Sequence, residues 1–273
     1  MKFNKLLFAL LLSACLAIPA LCLEVKTGDI VCCYGDTVFS LGNYRMGCCW
    51  LYSDGLKNAG IKIKTVRAAR AWLLAKDFSD VYKKKVLPGK ANVILLNFGQ
   101  SDIIRKTPFE DYQNAFRELV STIKSEKKTP VIVSILPLGE NPDSKYNKTI
   151  SEYNAFLKKL AEEQQCEYWD VYSPVLAESA KLREVYPNWK GNFFMPNGHL
   201  LNPAGNRLVG TVLLSKTGLS AEQIAASAAK WDKMKLSMTV SLRVSTAIRL
   251  IDIANEQGMT DSEYVTKVVG EMK

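Results

Sequence analysis

The sequence predicts a doubly wound α/β sandwich built on a parallel sheet. Two observations carry that prediction. Short apolar runs of strand length alternate with longer amphipathic stretches, and several of the runs stop at a glycine or a proline. Such alternation makes each amphipathic stretch a crossover helix between parallel strands, and the loops at the carboxyl ends of the strands then form the site. The length is consistent: 273 residues, 48% hydrophobic and 23% charged, supply one full-sized core with room for a small appendage.

In order, residues 29–34 form a short apolar run stopped by Gly35, the pattern of a buried strand feeding a loop. Residues 50–59 read as a helix closed by Gly60, and residues 61–66 alternate as a strand. A helix is predicted over 72–87, then a second buried strand over 92–98 that ends at Gly99. Residues 109–125 are an amphipathic helix, 129–136 a strand stopped by Pro137, 150–164 a helix and 166–171 a strand. The stretch 187–202, rich in aromatics, Pro, Asn and Gly, reads as loop, and 203–216 as the helix that follows it. No internal repeat is visible.

The two ends differ from this core. Lys2 and Lys5 precede an uncharged run over 6–23 broken by Ser13 and Pro19, the composition of an export signal over residues 1–22, with Ala20 three residues before a cleavage after Cys22. An exported protein, periplasmic or extracellular, is expected. The run is also just long enough for an uncleaved membrane anchor, and Leu12-Ser13-Ala14-Cys15 resembles a lipobox that would lipidate Cys15, so both remain as alternatives. After residue 220, a connecting helix over 221–235 leads to Leu236, Met238, Val240 and Leu242 alternating with Ser237, Thr239, Ser241 and Arg243, a half-buried strand. A helix ending at Gly258 and the capping box Thr260-Asp261-Ser262-Glu263 follow. The 221–273 segment, strand–helix–helix, looks like a ribbon–helix–helix unit, which buries its strand against a second copy. Export removes access to DNA, so the expected role is homodimerisation or docking rather than nucleic-acid binding.

Net charge is +9, and runs such as Lys83-Lys84-Lys85 and Lys127-Lys128 read as solvated helix faces, with attraction to acidic glycans or anionic surfaces as the functional alternative. Without the signal, five cysteines remain: Cys32, Cys33, Cys48, Cys49 and Cys166. An odd number in adjacent pairs is not a small-protein disulfide framework, and core thiols are expected, with Cys32 and Cys33 on opposite faces of their strand. No cysteine–histidine spacing points to zinc, and no metal or cofactor is implied.

Chemistry is concentrated in four blocks. They are Gly35-Asp36-Thr37; Ala68-Ala69-Arg70-Ala71-Trp72; Gly99-Gln100-Ser101-Asp102; and Asn197-Gly198-His199-Leu200-Leu201-Asn202-Pro203-Ala204-Gly205, which holds the one histidine of the chain. In type, order and placement after strands these blocks resemble those of the SGNH (GDSL-type) hydrolases, particularly the exported bacterial esterase-like branch, over residues 25–220. The resemblance implies a three-layer α/β/α sandwich and hydrolysis of carboxylic esters on lipids, acylated sugars or similar small ligands.

Carried over block by block, the resemblance also implies a degenerate site. Thr37 stands where the family has its nucleophilic serine; it keeps the hydroxyl but adds a methyl that restricts its rotamers. It is read either as a nucleophile or as a loop residue bonding local backbone. A gapless count puts Trp72 at the glycine whose N–H holds the oxyanion, where an indole would crowd the acyl oxygen. Ser101 replaces the asparagine donor, and Asp102 is expected to accept backbone N–H groups at the loop or helix start. The frame Asn202-Pro203-Ala204-Gly205 aligns Asn197 with the acid and Leu200 with the base, leaving His199 one residue early. His199 is read either as a displaced base or as a loop histidine. Three functions follow: a hydrolase-family protein with lost or reduced activity and a retained cleft; an active esterase using Thr37 and His199, with Asn197 orienting the ring; or a dimeric surface scaffold.

Overall fold

A computed structural model describes residues 23–234, 244–260, 263–265 and 267–268. The export segment 1–22 and the alternating stretch 236–242 lie outside the described residues. The chain divides into two compact units, one running to Asp232 and the other starting at Lys233.

In the first unit, five strands form a parallel sheet: β1 (Ile30–Gly35), β2 (Lys64–Arg67), β3 (Val93–Asn97), β4 (Thr129–Val133) and β5 (Glu167–Trp169). Their spatial order is β2-β1-β3-β4-β5, the doubly wound arrangement in which the order reverses beside β1. In register, Gly35 lies beside Asn97, so both strands deliver their carboxyl ends to the same edge. Gly35 is required there: a Cβ would lie 2.0 Å from the Asn97 carbonyl oxygen.

The helices are α1 (Thr37–Gly42), α2 (Cys48–Asn58), α3 (Phe78–Val81), α4 (Gln100–Ile104), α5 (Phe109–Ser125), α6 (Lys145–Glu163), α7 (Tyr172–Val185), α8 (Pro203–Ser215) and α9 (Ala221–Trp231). One face of the sheet, with Cys32, Tyr34, Ile94, Leu96 and Ile132, packs on α3, α5 and α6 in a continuous apolar cluster. On α5 the buried stripe Tyr112, Phe116, Leu119, Val120 and Ile123 follows helical spacing, and each such side chain contributes about 1.5–3 kcal/mol on leaving water. Across the sheet, α2 packs against α8 and α9; Tyr52 of α2 meets Trp169 of β5 edge-on at 6.3 Å. The result is three layers, as the sequence implied.

Three local differences from the sequence reading have physical causes. Instead of one helix over 72–87, Trp72 sits in a turn at φ 63°, and a 3-10 turn at Ala75–Asp77, the short α3 and a π turn at Tyr82–Val86 follow. A left-handed residue cannot continue a right-handed helix, so the helical pattern starts late. α1, α4 and α7 were not anticipated, because helices of five or six residues carry too little periodicity, and α7 buries only Val175 and Ser179. The boundary drawn after residue 220 moves to Asp232: α9 belongs to the first unit, with Trp231 Nε1 donating to Asp54 at 2.8 Å and an Arg207–Asp232 ion pair.

Cys32, Cys33, Cys48 and Cys49 are buried free thiols, and Cys166, also free, is half-buried. Cys32 lies in the α5–α6 cluster while Cys33 faces Cys49 and Tyr52 in a cavity on the other side. In the second unit α10 (Val244–Glu256) is followed by the expected reciprocal box, in which Thr260 N–H donates to Glu263 Oε2 at 2.9 Å and Glu263 N–H to Thr260 Oγ1 at 3.2 Å. No described helix is long and apolar enough to cross a membrane.

Candidate active site

Asp36 links β1 to α1 and is fully buried. Its Oδ2 accepts the Ser101 N–H at 2.9 Å, and its own N–H donates to the Asn97 carbonyl at 3.0 Å. The first and third blocks are thereby joined beneath the cleft. Gly99, between β3 and α4, holds φ at 127°, and a Cβ there would strike Ile135 at 2.3 Å, so only glycine fits this turn. Asp102 accepts the Ala75 N–H, at 3.1 Å to Oδ2. That partner comes from the segment after Trp72, and the carboxylate is also held by its own backbone N–H in the first turn of α4. Burial pushes both carboxyls up to about 6; the Ser101 N–H opposes the shift at Asp36, and the nearby charge of Asp36 adds to it at Asp102.

Thr37 is the first residue of α1 and is buried. Its Oγ1 accepts the Trp72 N–H at 3.1 Å. Arg70 N–H donates to the Gly35 carbonyl at 3.1 Å, so the second block is tied to the first at two points. Trp72 thus directs its N–H at the threonine oxygen while holding a backbone conformation that favours glycine. Its indole is turned outward, 44% exposed, tilted against the His199 ring at 6.5 Å, with the Arg105 guanidinium 5.6 Å from its centroid. Ser101 is buried, and its backbone N–H meets Asp36 at 2.9 Å.

The fourth block lies on the loop before α8. Asn202 caps that helix by accepting the Gly205 N–H at 2.8 Å, with Pro203 at the first helical position. Asn197 folds back on its own loop: its Oδ1 accepts the N–H groups of His199 (3.3 Å) and Leu200 (2.9 Å). His199 Nδ1 lies 3.2 Å from the Asn197 carbonyl, an arrangement that suits the Nδ1–H tautomer. No hydrogen bond joins His199 to Thr37, and none joins the Thr37 hydroxyl to any acceptor among the described residues. Leu200 lines a void of about 20 Å³ with Val38, Leu41, Leu201 and Asn206, so its side chain is laid against α1, the helix that Thr37 opens.

Two residues stand out that the sequence did not single out. Glu140, after β4, is buried, and its carboxylate accepts the N–H groups of Phe193 (2.8 Å), Phe194 (2.6 Å) and Met195 (3.0 Å) and the Ser179 hydroxyl (2.6 Å). It anchors the loop that carries Asn197, His199 and Leu200. Its partners lie 39–55 residues away, so no local pattern marks it. Gln100, between Gly99 and Ser101, is buried with an Nε2 that has no hydrogen-bond partner among the described residues. Among the described residues, no group of three or more His, Cys, Asp or Glu is placed to hold a metal ion.

Comparison with known proteins agrees with this architecture. Among solved structures, the chain is similar to the acetyl xylan esterase AlAXEase, with a TM-score of 0.62 at 19% identity over 68% of this chain and 98% of that one. It is likewise similar to Axe2, an acetylxylan esterase from Geobacillus stearothermophilus, with a TM-score of 0.62 at 17% identity over 72% and 98%. At such identities the likeness is one of fold. No curated protein sequence matches the chain. The sequence model of the GDSL-like lipase/acylhydrolase family matches residues 33–208, which span all four blocks. The chain therefore belongs to the GDSL-like lipase/acylhydrolase family, on an SGNH-type fold.

Proposed function

We propose that this is an exported family member whose ester hydrolysis is lost or strongly reduced and whose cleft is kept to bind an acylated ligand, a glycan foremost. The observation that supports it most is the position of Leu200. It occupies the frame of the base, lies against α1, and can neither accept nor return a proton. The one imidazole is engaged with the Asn197 carbonyl instead of the Thr37 hydroxyl. A hydroxyl with no base beside it remains a weak nucleophile at neutral pH. One preorganised donor, the Trp72 N–H, is held at the Thr37 oxygen, and a ligand carbonyl that displaced that oxygen would meet it even where no proton is moved. The acetylated xylan named for the two esterases is the model for the ligand class.

The test is hydrolysis of p-nitrophenyl acetate by the purified chain. The expected rate is indistinguishable from that of Thr37→Ala, whereas Thr37→Ser combined with Ser101→Asn, Asn197→Asp and Leu200→His raises it by on the order of 10²-fold. Native turnover that disappears in Thr37→Ala, or a phosphonate adduct on Thr37, overturns the proposal in favour of an esterase using Thr37 and His199.

A further inference from the structure

Beside the cleft lies a groove that the hydrolase reading does not use. Arg67, Arg70, Lys84 and Lys85 line it, in a volume of about 340 Å³ floored by Ala68 and Val81. The one acid in its lining, Asp80, is already paired with Lys84 at 2.8 Å. One wall is the end of β2 and the residues after it; the other is α3 and the π turn at Tyr82–Val86. Among the described residues β2 is the edge strand, and no further strand covers that side. A concave surface with an excess of positive charge, here three cations beyond the Asp80–Lys84 pair, concentrates field and attracts anions.

The groove is joined to the cleft by a short, well-tied stretch of chain. Arg70 N–H bonds to Gly35 and, two residues on, Trp72 N–H bonds to Thr37. The exposed Trp72 indole stands two residues along the chain from Arg70 and carries a further cation, Arg105, over its ring. An aromatic face beside a cationic groove suits a ligand with an apolar ring face and a carboxylate on the next unit. The C–H face of a pyranose packs on an indole, and a guanidinium takes a carboxylate through two parallel hydrogen bonds.

We propose that the glycan is acidic, with a uronic carboxylate held in the Arg67–Arg70–Lys84–Lys85 groove and a neighbouring sugar ring stacked on Trp72. The inference rests on the glycan-binding reading of the cleft. Calorimetric titration of the full chain with a galacturonate oligosaccharide and with a neutral xylo-oligosaccharide of matched length tests it. The expected outcome is roughly tenfold tighter binding of the acidic ligand at low salt, an advantage that shrinks as salt rises. Arg67→Gln with Arg70→Gln weakens acidic binding by roughly fivefold and leaves neutral binding unchanged. Lys84→Gln with Lys85→Gln, on the opposite wall, gives the same readout should the first pair fail to fold. Equal affinity for both glycans overturns the groove and leaves the glycan cleft standing. Binding of neither overturns the glycan reading itself. Equal affinity for a single-stranded oligonucleotide of matched charge marks a non-specific basic surface and also overturns the proposal.

Discussion

The two sides of the cleft are built on different terms. Below, Gly35, Asp36, Gly99, Ser101 and Asp102 are locked by buried bonds between β1, β3 and the segment after Trp72. Above, Asn197 and His199 sit on a loop whose bonds run mostly to its own neighbours and whose fixed point is Glu140, behind it. The floor keeps the family's backbone scaffold even where a side chain differs, because a lost partner there leaves a buried polar group unsatisfied. On the loop, Asn197 and Leu200 stand in the frame that the sequence resemblance gives to acid and base, and the Asn202-Pro203 cap starts α8. The floor and the cap are thus held by hydrogen bonds that the fold requires, whereas the side chains of Asn197 and His199 bond only within their own loop.

Breaking the anchor should have the largest effect. Glu140→Ala strands two buried backbone N–H groups and a part-buried third, and is expected to cost roughly 3–5 kcal/mol in urea unfolding. A loss under about 1 kcal/mol would show that the loop does not depend on it.

The floor makes a pH prediction. Asp36 and Asp102 have carboxyls pushed from 3.8 up to about 6, so the folded chain holds these protons more tightly than the unfolded one. Their contribution is fully present below the ordinary carboxylate value and is lost as pH rises to and through about 6, by roughly 2–3 kcal/mol for each group. Asp36→Asn should flatten much of that decline. A native stability that climbs across the same interval contradicts the burial argument.

Smaller effects sharpen the contrast. Trp72→Gly relieves a left-handed backbone at the loss of ring contacts, and a net change within about 1 kcal/mol, in the stabilising direction, is expected from thermal melts. A clear loss would mean that the indole, rather than the turn, organises this block. His199→Ala on the half-exposed loop should shift stability by less than about 0.5 kcal/mol.

How much of this was legible varies with the range of the forces involved. α5 was read at its observed ends, Phe109–Ser125, because an amphipathic helix with an acidic first turn advertises itself residue by residue. The apolar run over 129–136 predicted a longer strand than β4, which stops at Val133. Ile135 and Leu136 are buried as well, but the Ile135 backbone bonds to the Asn154 side chain instead of a neighbouring strand. Hydrophobicity reports burial, and pairing is a separate matter. In the site, a gapless count placed Trp72 at the oxyanion glycine with its indole crowding the acyl oxygen, but its bond to Thr37, outward ring and left-handed backbone came only with the fold.

By itself the sequence determined the layered α/β class, the order of the strands along the chain and the identity of the four blocks, since these depend on periodicity and on residues a few positions apart. The tertiary structure alone decided that Glu140 holds the loop, that Asp102 bonds to Ala75, that Leu200 lies on α1, and that Arg67, Arg70, Lys84 and Lys85 share one groove. Each of those pairings joins separate segments of the chain, and which distant groups meet is settled by packing the layers, where a buried charge or donor takes whichever partner the fold brings within reach.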